Sequence, residues 1–358
     1  MTEPFSLQMV GSKALGGAER WLMRFAAALD ARAVPAEIAI RRGSGLDAHD
    51  FGRLAVHRLP FLTVWDPYSR TAVSSLIRRR RPDIVQTYMG RATRLTRLPA
   101  RGGPVHLARL GGYYALSPYR HAHGWIGNTR GLCDWMIAQG LPAERVHHIY
   151  NFADPPHPVA PQQVADCRRA LGLPDDAWVL VALGRLVPVK GHADLIAALA
   201  RLPAEIAGRP WRLVLVGDGP LGERLRRQAA RLGQGERIGW AGWQTDPGPY
   251  LALADLVVFP SLEEETLGNV ILEAWSWDKP LLTARFRGAR ELVRHGEDAW
   301  CVPCADPPAL AHGIRELLED DALRATLARR GGERVRRELG RDAILDQYLD
   351  LYRRLVGA

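Results

Sequence analysis

The sequence predicts an α/β protein of two Rossmann-like domains, and three observations carry that prediction. Short apolar runs alternate with longer amphipathic stretches through both halves, the pattern of β-α units around a parallel sheet. A segment from Asn151 to Pro161 interrupts the alternation with Pro155, Pro156, Pro158 and Pro161, which cannot continue a helix or a central strand. The 358 residues also exceed what one hydrophobic core usually organises.

The elements follow in order. Phe5 to Val10 reads as the first strand, with a loop closing at Gly16-Gly17 and a helix from Ala18 to about Leu29. Further strands are expected at Ala36 to Ile40, Asp83 to Thr87, Val105 to Arg109, Trp125 to Gly127 and Val146 to Ile149. After the prolines the pattern restarts at Trp178 to Leu183 and runs through Trp211 to Val216, Ile238 to Ala241, Leu256 to Phe259 and Pro280 to Thr283. From Ala309 the chain reads as charged helix, and Ala343 to Tyr352 has apolar residues at helical spacing. The expected domains are 1–152 and 153–340, with a separate C-terminal helix at 341–358. In open α/β sheets ligands bind outside the carboxyl ends of the strands, so a cleft between two such domains is the expected site.

Composition restricts the function classes. Hydrophobic residues at 47% and charged residues at 24% fit a globular protein and argue against disorder. No run approaches 18 apolar residues and Met1 to Leu7 has no basic region leading into an apolar one, so the cytoplasm is the expected compartment. Four cysteines make no disulfide framework, and Cys301 and Cys304 form a CxxC on a short strand rather than at a helix start, against both a zinc site and a redox motif. The charge is unevenly distributed. Residues 1–152 hold 21 Lys and Arg against 10 Asp and Glu, net +11, leaving 27 against 29, net −2, for the remainder. Such a one-sided field suits an anionic partner.

Two motifs carry chemistry. Gly184-Arg185-Leu186-Val187-Pro188-Val189-Lys190-Gly191 joins a strand to a helix and brings two cations to a helix N-terminus, a setting that favours a diphosphate. Glu265-Thr266-Leu267-Gly268-Asn269-Val270-Ile271-Leu272-Glu273 sets two carboxylates eight positions apart, with Glu265 in a loop and Glu273 on a helix expected to begin near Leu267. Carboxylates accept from vicinal hydroxyls, and the N–H groups around Gly268 can receive phosphate oxygens. In the first half Tyr88, Arg91 and Arg94 follow a strand and are expected to meet the acceptor, the ring by stacking and the cations by pairing with an anionic group.

Together these features resemble the retaining glycosyltransferases of the GT-B fold, specifically the large family 4 that includes bacterial lipopolysaccharide and polysaccharide sugar transferases. The resemblance spans nearly the whole chain: Gly16-Gly17-Ala18-Glu19-Arg20, Asn128-Thr129, Val146 to Phe152, Gly184-Arg185 with Lys190-Gly191, and the Glu265/Glu273 pair. It implies a nucleotide-diphosphate sugar of the UDP or GDP type as co-substrate, no cofactor and no metal. Arg185 and Lys190 would grip the diphosphate, Glu273 the ribose and Glu265 the transferred sugar; Leu267, Gly268 and Asn269 would line the donor site, and Gly17 would let the donor approach. It also implies a C-terminal helix returning to the first domain, an acceptor side that includes Tyr113, and an anionic or lipid-linked glycan acceptor with peripheral contact at the cytosolic face of an anionic inner membrane. Many members carry a cleft histidine where this chain has Leu110-Gly111-Gly112-Tyr113-Tyr114. A retaining front-side reaction needs stabilisation of the leaving diphosphate more than a protein nucleophile, so the departure bears on acceptor geometry.

Other readings compete. Gly217-Asp218-Gly219-Pro220-Leu221-Gly222 is a literal G-x-G-x-x-G, but it does not follow the first strand of either domain. A GT-B phosphorylase differs in using orthophosphate. A catalytically silent GT-B module docking on an anionic membrane or polymer is the rival from another class, and intact Arg185, Lys190 and Glu265/Glu273 positions speak against it. No helix-turn-helix, RRM or zinc pattern supports nucleic-acid binding.

Overall fold

The computed structural model describes residues 3–357. The chain forms two compact units, one made of residues up to Asn151 together with those from Arg341 on, the other of Phe152–Gly340.

The first unit holds seven strands: β1 Ser6–Val10, β2 Ala36–Arg41, β3 Ala55–Leu59, β4 Ile84–Tyr88, β5 Val105–Leu110, β6 Gly124–Gly127 and β7 Val146–His148. They lie in the order β3-β2-β1-β4-β5-β6-β7, all parallel. The second unit repeats the plan with β8 Trp178–Leu183, β9 Glu205–Ile206, β10 Arg209–Val216, β11 Ile238–Gly242, β12 Leu256–Phe259, β13 Leu281–Ala284 and β14 Trp300–Val302. Its parallel path is β11-β10-β8-β12-β13-β14, and β9 pairs antiparallel with β10. Both sheets therefore reverse direction of growth at one point, β1/β4 in the first and β8/β12 in the second, where doubly wound sheets open a crevice for ligands.

The strands are apolar because helices cover both faces. Every residue of β8 and of β12 is buried. The exception that escapes a hydrophobicity reading is β3, Ala-Val-His-Arg-Leu, an edge strand mostly open to solvent that has no apolar run to announce it. In the linker, Pro161 opens helix Pro161–Ala170, where a missing N–H costs nothing.

β1 carries a buried Gln8 that the core must satisfy. Its amide donates to Tyr352 at 3.2 Å, Tyr352 donates to Gln86 at 2.9 Å, Gln86 donates to Tyr88 at 2.5 Å, and Tyr88 donates back to Gln8 at 2.8 Å. This closed ring fastens helix Arg341–Val356 to β1 and β4 within the first unit. Arg109, also buried, donates to Tyr348 at 2.8 Å and to Asn151 at 2.5 Å and stacks on Trp21 at 4.1 Å.

Candidate functional site

At the carboxyl ends of β8 and β12, two loops are knitted together by backbone. Gly191 has φ +65°, and a Cβ there would lie 1.9 Å from the Pro260 carbonyl oxygen, so only glycine lets the loops touch. The Leu262 N–H donates to the Val189 carbonyl at 2.8 Å across the same seam. The contact sets Lys190 Nζ 2.7 Å from Glu265 Oε2, both side chains four-fifths buried or more. Ser261, fully buried, donates to the same carboxylate oxygen at 3.4 Å, and Lys190 Nζ sits 5.1 Å from the Phe259 ring centre. The two residues expected to grip different parts of a donor thus neutralise each other.

Around this pair the other predicted residues take distinct positions. Arg185 is exposed, and no side chain among the described residues engages its guanidinium. The helix expected near Leu267 begins at Asn269 and runs to Ser276, because Gly268 at φ +79° turns the chain into it. A Cβ on Gly268 would strike Phe259 and Phe286 at 2.6 Å. Leu267 is buried, which leaves only its backbone to meet a ligand, whereas Asn269 is exposed in the first turn, where N–H groups lack intrahelical acceptors. Glu273 is half-buried one turn further on. Of the neighbouring acids, Glu263 pairs with Arg290 at 2.5 and 2.8 Å, and that hydrogen bonding holds its carboxyl below the usual range.

The glycine-rich sequence after β10 serves the same seam. A Cβ on Gly217 would lie 2.0 Å from the Gly184 carbonyl oxygen, and one on Gly219 would crowd the Leu186 backbone at 2.6 Å. These glycines make room for the Gly184-Arg185-Leu186 turn. The CxxC is likewise explained without chemistry, since burial raises the Cys301 thiol to about 12 and raises Cys304 as well, the reverse of a reactive pair.

In the first unit Gly17 opens helix Gly17–Ala31 on an exposed surface, and an added Cβ would meet nothing within 4 Å. Tyr88 requires a correction. It is the last residue of β4 rather than the first beyond it, so it shares a sheet face with Gln86, is 1% exposed and is sealed in the polar ring beneath helix Arg341–Val356. It cannot stack on a sugar. Arg91 is half-buried and donates to the Gly11 carbonyl at 3.0 Å and the Phe61 carbonyl at 3.3 Å, tying the loops after β1 and β3. Arg94 lies over Trp65, 4.0 Å from the ring centre, and Tyr113 packs edge-on against Trp135 at 5.3 Å. His106, His121 and His123 form a core cluster: the His106 N–H donates to His123 at 3.1 Å, and His121 meets the Thr93 and Thr96 carbonyls. Ser261 and Trp65 were not foreseen; the first is buried behind Glu265, and the second lies in a loop whose preceding strand gives no sequence signal.

Comparison with known proteins adds the family. The description "Glycosyl transferases group 1" fits residues 164–334 and "Glycosyltransferase Family 4" residues 15–156. The chain is 34% identical to the lipopolysaccharide core biosynthesis glycosyltransferase LpsE of Rhizobium meliloti, over 94% of this chain and 95% of that one. It is 33% identical to LpsD of the same organism, over 95% and 96%. Among solved structures it matches Anabaena HepE in complex with UDP and glucose at TM-score 0.79, 24% identical over 97% and 99% of the two chains, and WaaG, a glycosyltransferase involved in lipopolysaccharide biosynthesis, at 0.70 and 19% over 97% and 99%. These structural likenesses establish the fold.

Proposed function

The chain belongs to glycosyltransferase family 4 and is a glycosyltransferase of the GT-B fold; from that premise we propose that it moves a sugar, with retention and without a metal, from a nucleoside-diphosphate sugar to a lipopolysaccharide-type or other lipid-linked glycan. The observation that carries the reading is the Lys190–Glu265 pair at the β8/β12 reversal, beside an unengaged Arg185 and the start of helix Asn269–Ser276. In the reaction the bond from the anomeric carbon to the β-phosphate oxygen breaks and the acceptor hydroxyl oxygen bonds to the same carbon. Its proton leaves with the diphosphate.

Each residue has work in that scheme. Arg185 and Lys190 neutralise the charge that builds on the departing diphosphate, the role a divalent cation fills elsewhere. The N–H groups of Gly268 and Asn269, at the start of helix Asn269–Ser276, add oriented dipoles. Glu273 accepts from the ribose hydroxyls and Glu265, handed over from Lys190 when phosphate arrives, accepts from the transferred sugar. The names of LpsE and LpsD support the acceptor class, and the UDP bound to HepE supports a uridine donor. Thermal unfolding with UDP, GDP, ADP and their sugars is the test, since a ligand of the native state raises the midpoint by mass action. A shift with UDP, kept in EDTA and reduced in Lys190→Ala at the same nucleotide concentration, is the expected result; no shift with any nucleotide would refute the donor site, and activity restored only by Mg²⁺ or Mn²⁺ would refute metal independence.

A further inference from the structure

In the first unit, the loop after β3 and the first turn of helix Pro67–Arg80 expose three large apolar residues within seven positions, Leu62 at 53%, Trp65 at 75% and Tyr68 at 66%. Large apolar residues exposed close together mark an interaction surface, whereas isolated exposed apolar residues are ordinary. Hydrogen bonds tie the stretch to the helix start. Asp66 caps the helix by accepting from the Tyr68 N–H at 3.0 Å and the Ser69 N–H at 3.1 Å, and the Leu62 N–H donates to Ser69 Oγ at 3.1 Å.

Cations surround the apolar residues without acids to match. Arg94 stacks on Trp65 and buries its Nε without a hydrogen-bond partner. Burial, with the charges of Arg70 and Arg94, lowers the Arg97 guanidinium below its ordinary value. Among the described residues no carboxylate pairs with Arg70, Arg94 or Arg97, and the nearest acid in sequence, Asp66, is spent on the helix cap. The basic run Arg78 to Arg81 is separate. It lies at the other end of the same helix, about 20 Å away at 1.5 Å per residue, and its Arg80 is tied to Glu37.

We infer that the Leu62–Trp65–Tyr68 stretch, flanked by Arg70, Arg94 and Arg97, is a docking surface for an anionic phospholipid bilayer. Amphipathic rings sit at the headgroup level, an aliphatic tip enters the acyl boundary, and arginines pair with lipid phosphates, which is the residue set present here. A soluble glycan would want hydrogen-bonding partners around a stacking ring, and Leu62 offers none. The surface belongs to the first unit, whose residues carry net +11 against −2 for the second, so long-range attraction to an anionic sheet acts on the same unit as the short-range contacts.

Co-sedimentation of the full chain with vesicles of pure phosphatidylcholine, or with roughly a third replaced by phosphatidylglycerol, tests this, with UDP affinity measured on the same samples. The expected result is strong preference for anionic vesicles. Arg70→Gln with Arg97→Gln should lower partitioning about 25-fold, taking about fivefold for each cation near such a surface, and Trp65→Ala with Tyr68→Ala should lower it at least about tenfold through lost interfacial burial. Both variants should keep the wild-type UDP affinity, which separates docking from misfolding and from failure of the donor assignment. Unchanged partitioning of the aromatic variant would overturn the inference. So would wild-type protein that ignores anionic vesicles yet binds a soluble phosphorylated saccharide in a manner that depends on Trp65.

Discussion

The two units build the same strand order and use its open edge in opposite ways. At β8/β12 the loops meet backbone to backbone, glycine against carbonyl, and only then do Lys190 and Glu265 find each other. At β1/β4 the adjoining strands are filled with large side chains, Tyr88 and Arg109 among them, locked by Tyr348 and Tyr352 of helix Arg341–Val356. What the first unit offers outward is a set of aromatic and cationic tips. One topology therefore carries a pair of loops knitted by backbone, which tolerates almost no change, and a surface made of side chains, which can be rewritten residue by residue.

The largest effect that would sharpen this contrast is expected from glycine substitutions. Gly191→Ala should cost several kcal/mol, more than the roughly 1–3 kcal/mol of left-handed strain alone, because its Cβ also collides with Pro260. Gly17→Ala should leave stability within about 0.5 kcal/mol, as a surface change with no clash. Chemical denaturation of the two variants measures both, and comparable losses would erase the distinction.

Next in size is Lys190→Ala, which should weaken nucleotide-diphosphate binding about tenfold to hundredfold, the worth of a charge-assisted contact. Glu265→Gln should move affinity the other way by a few-fold, because it frees Lys190 for phosphate, while transfer falls. Calorimetry with UDP distinguishes them; a Glu265→Gln protein that binds UDP more weakly would break the proposed handover.

Tyr88→Phe should destabilise the first unit by about 1–3 kcal/mol by leaving Gln8 and Gln86 short of a partner. Acceptor dependence of the variant should match wild type. A raised acceptor KM with unchanged stability would return Tyr88 to the binding site.

The smallest effect is one of acidity. Burial lowers the proton affinity of His106, His121, His123 and His147 in the first unit, whereas the second has His192, pushed down to about 4. For each, the folded state binds protons less readily than the unfolded chain, whose value is near 6.5. Stability is therefore full above that value and declines as pH falls below it. Hydrogen exchange should show the first unit losing protection before the second as pH drops from about 6.5 toward 5. The reverse order would contradict the burial argument.

How legible each unit was follows from the same contrast. Gly184, Lys190-Gly191 and Glu265 could be read as a motif because backbone contact leaves glycine no substitute and fixes the spacing of what stands between. β8, β12 and the proline linker could be read because a doubly covered strand must be apolar and proline must interrupt. The position of Tyr88 could not. Its place depended on the strand ending one residue later than apolar content suggested and on a helix more than 250 positions away in sequence closing over it. Trp65 escaped for a related reason, since β3 is an edge strand whose partly polar sequence conceals the loop that follows it.

The discontinuity of the first unit also has a consequence for its synthesis. Its sheet is finished by Val146–His148, yet Gln8, Gln86 and Arg109 keep unmet polar groups until Tyr348 and Tyr352 arrive on helix Arg341–Val356. At about 5–20 residues per second, the ribosome needs on the order of 10–40 s to supply that helix. The second unit, contiguous from Phe152 to Gly340, can fold in the interval. The half of the molecule translated first is thus the half completed last, and until the helix arrives Gln8, Gln86 and Arg109 have only water to take the place of Tyr348 and Tyr352.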